Sequence, residues 1–76
     1  MDTKTKAIAT TFNKKSLEEC LTEIETIQQK LNEGNLPLEE MMALYEYGKI
    51  ISQIAQEKLD EIEFKFKKLN DKNNDN

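Results

Sequence analysis

Seventy-six residues allow one small domain, and a single cysteine (Cys20) with no histidine and no arginine excludes an internal disulfide and the common zinc-ligand spacings. The net charge of −4 is unevenly spread: residues 1–15 sum to +3 (four Lys, one Asp), residues 16–47 to −7 (one Lys, eight Glu) and residues 48–76 to zero, an acidic middle that argues against gripping nucleic acid along the whole length. No apolar run approaches the ~20 residues of a membrane span and residues 1–9 lack a signal-peptide h-region, so no membrane association and a soluble cytoplasmic protein are the expectation.

In chain order, residues 1–15 read as a flexible N-terminal segment. Ile8 and Phe12 could fold over the projecting end of the longer helix described below, but Thr10, Thr11 and Asn13 make this segment a poor helix. From Leu17 the apolar residues fall at Leu17, Cys20/Leu21, Ile24, Ile27 and Leu31, steps of three and four that share one helical face. Ser16 with Glu19 three residues on is a capping box, and Gly34 suits the left-handed position that ends a helix. A helix over 17–33 is predicted.

Pro37 needs no N–H at a first helical position, and Glu39 and Glu40 sit where the helix dipole favours negative charge. The second helix should run over 37–69 along a stripe of Met41, Leu44, Gly48, Ile51, Ala55, Leu59, Ile62, Phe66 and Leu69, heptad-like apart from a stutter at Ile51-Ala55-Leu59. A second stripe, Ala43, Tyr47, Ile50 and Ile54, makes the middle of this helix apolar on two adjoining faces, more than one short helix can cover. Gly48 and Ala55 would let another molecule's helix approach closely, and Gly48 equally well the first helix. Residues 70–76 have no apolar residue and read as a disordered tail. The expected fold is all-α: an antiparallel, coiled-coil-like two-helix hairpin over 16–69 with disordered termini.

At 1.5 Å per residue the first helix is ~25 Å long and the second ~50 Å, so ~20 Å of the second projects beyond the hairpin. That overhang carries Leu59, Ile62, Phe66 and Leu69, whose exposure would forgo roughly 1.5–3 kcal/mol each. The sum, about 6–12 kcal/mol, matches the entire stability expected of a domain this size. The seam therefore calls for a partner, and its candidate contact residues are Leu44, Tyr47, Gly48, Ile51, Ile54, Ala55, Leu59, Ile62, Phe66 and Leu69.

Chemistry is sparse. Glu18/Glu19 and Glu39/Glu40 are adjacent in sequence and splay around their helices, and no His base, Arg clamp, glycine-rich phosphate loop or activated nucleophile is present. No catalytic, metal or cofactor-binding residue is expected in this chain. Phe64, Lys65, Lys67 and Lys68, interleaved around Phe66, are the one pattern that single-strand binders also use, with helix-end packing as the competing reading.

Ser16-Leu17-Glu18-Glu19-Cys20-Leu21-Thr22-Glu23-Ile24-Glu25, then Glu33-Gly34-Asn35-Leu36-Pro37-Leu38-Glu39-Glu40, then Tyr45-Glu46-Tyr47-Gly48 and a long helical remainder resemble the small subunit of bacterial exodeoxyribonuclease VII over residues 16–69. The resemblance implies a non-catalytic subunit. Its large partner carries the nuclease site and degrades single-stranded DNA from either end to oligonucleotides, and several copies of the small subunit attach to long helices of the large one. The lysine-bearing N-terminus and Asn-rich tail depart from the family pattern. The implied partners are the large catalytic subunit, other copies of the small subunit and, through the complex, single-stranded DNA. From another class, a self-associating helical-hairpin adaptor without a nuclease connection would also cover the seam.

Overall fold

Three helices make up the described residues. The computed structural model describes residues 2–74, with side chains from Asp2 to Asp71, and no strand occurs among them. Helix α1 spans Thr3–Asn13, α2 spans Leu17–Glu33 and α3 spans Leu38–Asn74. At the head of α2, Ser16 Oγ accepts from the Glu19 backbone N–H at 3.1 Å and Glu19 Oε1 accepts from the Ser16 N–H at 3.1 Å, the reciprocal capping expected from the sequence. Gly34 ends the helix at φ 68°, a left-handed conformation that a Cβ would strain. A four-residue link, 34–37, then reverses the chain, and the Pro37 carbonyl accepts the first bond of α3 from the Met41 N–H at 3.0 Å.

The two-helix expectation is corrected at both ends. Residues 3–13 are helical rather than flexible. Asp2 caps them by accepting from the Thr5 N–H at 2.7 Å, and Lys58 Nζ, reaching across from α3, donates to the Asn13 carbonyl at 2.8 Å at the other end. Thr10 and Thr11 turn their hydroxyls back to the carbonyls of Lys6 and Ala7, four residues earlier, which satisfies them inside the helix. Burial of Phe12 supplies what local propensity lacks. At the C-terminus α3 continues through Asn74, past the predicted end at Leu69. Nearer its middle, the i,i+4 contacts Gln56–Asp60 (2.9 Å) and Lys65–Glu61 (3.3 Å) support the helix surface. Residues 75 and 76 of the expected disordered tail lie outside the described residues.

Both short helices pack on α3. α2 runs antiparallel to it, with Ile27 over Gly48 and Leu31 beside Met41 and Tyr45. α1 runs parallel to it, with Asp2 and Thr5 near Ala43 and Tyr47 and Asn13 near Lys58. The core is Phe12, Cys20, Ile27, Ile51, Ile54 and Ala55, ringed by partly buried Ile8, Leu17, Ile24, Leu44, Tyr47 and Ile50. All of it lies at or before residue 55 of α3. The molecule measures 60 × 28 × 14 Å, so the rod outruns its own core.

Candidate partner-binding surface

The apolar stripe of α3 divides into an enclosed and a bare half. Ile51 is fully buried and Ile54 and Ala55 are buried by the chain's own helices, so these three sequence-selected contact residues belong to the internal core. Two helices enclose them: α2 packs on the main stripe at Gly48, and α1 covers the second stripe that a single short helix left open. Phe12 meets the Tyr47 ring edge to face at a centroid distance of 6.0 Å and an interplanar angle of 77°. Lys15 Nζ lies 5.7 Å from the Phe12 centroid, and the fully buried Cys20 thiol donates to the Phe12 carbonyl at 3.8 Å. Gly48 faces Ile27, whose Cγ2 would stand 3.3 Å from an added Cβ, so this glycine serves the approach of α2. Leu44 and Tyr47 are half-buried.

Beyond Lys58 the stripe is exposed among the described residues. Leu59, Ile62, Phe66 and Leu69 are 38%, 52%, 65% and 64% exposed and recur at steps of three, four and three, so they share one face. The uncovered part of α3 from residue 59 is ~24 Å long. α1 stops level with Lys58, and its cover falls on the middle of the rod, leaving this overhang bare. Phe64 is 66% exposed and sits roughly opposite the stripe. Lys65 faces the Glu61 carboxylate, and Glu57, Asp60 and Glu63 share the same segment, so the field around Phe64, Lys65, Lys67 and Lys68 is mixed rather than uniformly basic.

At the other end of the rod, an open groove lies between α1 and α2 over the start of α3. It has a volume of about 690 Å³, a floor of Ile8, Leu36, Leu44, Tyr47 and Ile50, and a rim holding Asp2, Glu33, Glu40 and Glu46 against Lys4 and Lys30. No periodicity in the sequence signalled this groove, because it depends on the position of α1. Burial pushes the Tyr47 phenol above its ordinary value, and the Glu23 carboxylate adds to the shift. The Thr5 and Ser16 backbone N–H groups hold the capping carboxyls of Asp2 and Glu19 below theirs. Among the described residues no helix is long and apolar enough to cross a membrane, and no group of three or more His, Cys, Asp and Glu is placed to hold a metal ion.

A rod with its core gathered at one end and a bare apolar face at the other defines the class of small helical accessory chains. Residues 18–68 match the family described as exonuclease VII small subunit, and the chain belongs to that family. It is similar to the "Exodeoxyribonuclease 7 small subunit" of Colwellia psychrerythraea, at 50% identity over 58 residues, covering 76% of this chain and 71% of the relative. The protein of the same name from Methylococcus capsulatus is 40% identical over 58 residues (76% of each chain), and that of Geobacillus thermodenitrificans 38% identical over 48 residues (63% of each). No solved structure matches. The chain is thus a small subunit of a nuclease complex and not the catalytic one. The matched segment begins after α1.

Proposed function

We propose that this chain docks the exposed face of distal α3 onto a helix of the large catalytic subunit of exodeoxyribonuclease VII, and so supports cytoplasmic degradation of single-stranded DNA from either end to oligonucleotides. The observation that carries this reading is the run of Leu59, Ile62, Phe66 and Leu69, each more than a third exposed on one face of a helix that continues well past its own core. Contiguous apolar surface of this kind marks protein contact sites, and a 3–4 spacing suits side-by-side packing against another helix. The helical rod supplies position and no reacting group, so hydrolysis belongs to the large chain.

Coexpression with the large subunit and affinity capture test the docking. Wild-type chain should copurify and restore nuclease activity, whereas Leu59→Asp combined with Ile62→Asp should lose both while retaining the helical circular-dichroism spectrum. Undiminished capture of that double variant would overturn the assignment of this face.

A further inference from the structure

The two ends of the molecule complement each other. The groove between the N-terminal half of α1 and the C-terminal half of α2 has an apolar floor and a rim with four carboxylates against two lysines. The far tip of α3, from Phe64 to Asp71, has exposed Phe66 and Leu69 and carries three lysines against one aspartate. An apolar trough with an acidic rim fits a helix with an apolar stripe and a net positive charge, and the tip is such a helix, present at one copy per groove. It lies beyond the acidic stretch 57–63, with Lys65 paired to Glu61 and with Lys67 and Lys68 unengaged by any ion pair among the described residues. A chain cannot fill its own groove, because Ala43 in the groove and Leu69 on the tip lie on the same helix ~39 Å apart.

We infer that the groove at the head of α3 seats the distal tip of α3 from a second copy of this chain, with Phe66 and Leu69 over the Leu44, Tyr47 and Ile50 floor and Lys67 and Lys68 toward Glu40 and Glu46. The contact joins two different surfaces and is therefore heterologous. It buries the same stripe that the proposed docking to the large subunit uses, so self-association and docking compete. Its own test does not depend on the docking reading, because it is made with this chain alone.

Two single-cysteine chains provide that test, both in a Cys20→Ala background: one with Ala43→Cys and one with Leu69→Cys. Under mild oxidation a mixture should give an unlike disulfide pair in excess over either like pair. Like pairs predominating, or no cross-link at concentrations where sedimentation shows association, would overturn the inference. In sedimentation, Lys67→Glu with Lys68→Glu should weaken wild-type self-association at least fivefold. Mixing that variant with Glu40→Lys/Glu46→Lys chains should restore association. Purely monomeric wild type, or association indifferent to these charge reversals, would also overturn it. Added large subunit should dissolve the homotypic species; if it leaves them intact while the unlike cross-link forms, competition and the shared-face docking fail and the groove contact stands.

Discussion

Gly48 lies where α2 comes closest to α3, and the contact to Ile27 decides what a larger residue there would do. An alanine gains about 1 kcal/mol of helix propensity over glycine but forces the buried Ile27 to yield by a few tenths of an ångström. These effects oppose each other, so Gly48→Ala should leave the melting temperature within about 4 °C of wild type. Gly48→Val adds bulk without room and should cost about 1–3 kcal/mol. Gly34 is limited by backbone rather than by space: nothing lies within 4 Å of an added Cβ, yet φ is +68°. Gly34→Ala should therefore cost roughly 1–2 kcal/mol, a drop of about 4–16 °C in thermal denaturation. Tyr47 adds a pH dependence. Its folded pKa stands above the ordinary 10.0 because burial disfavours the phenolate. The neutral phenol's contribution is thus complete below the unfolded value and lost as pH rises through the folded one. Alkaline melts should show a fall in stability above about pH 10 that Tyr47→Phe diminishes.

Among the elements, α1 is the one that depends most on the rest of the molecule. Eleven residues are too few for an autonomous helix, and its hold on α3 rests on Phe12, the Tyr47 ring edge and the Lys58 bond to Asn13. Phe12→Ala should cost about 3–5 kcal/mol, a large share of the total for a domain this size, and should free residues 2–13 for early proteolytic cleavage while α2 and α3 remain paired. α2 and the start of α3 were legible in the sequence because their signals are local: a capping box, a left-handed glycine, a proline and a 3–4 apolar spacing. The bare distal stripe was legible for the same reason, as a comparison of two helix lengths. α1 was not, because its threonines argue against a helix and the interactions that override them are made with residues 35 and 45 positions away. The groove depends on α1 and was hidden with it. Ile51, Ile54 and Ala55 are enclosed by the chain's own helices, Ile51 and Ala55 on the stripe that meets α2 and Ile54 on the second stripe, which α1 adjoins.

For the whole molecule, stability and partner binding lie in different stretches of one helix. Every core residue falls at or before Ala55, and the last contact that α3 makes with the shorter helices among the hydrogen bonds is through Lys58. The exposed stripe begins at Leu59. The ion pairs among the described residues, Lys15–Glu19 and Lys65–Glu61, are solvent-exposed and contribute little, so the distal rod adds helix length but almost no tertiary stabilisation. A chain ending after Asp60 should therefore melt cooperatively within a few degrees of the full chain, with lower total helical signal, because its core is untouched. The same truncation should abolish copurification with the large subunit, since Ile62, Phe66 and Leu69 are gone. A large loss of stability on truncation would mean that the overhang is held by its own chain after all, and full retention of binding would move the docking face to the groove end of the rod. Melting temperature and capture efficiency, measured on the same two proteins, separate these outcomes.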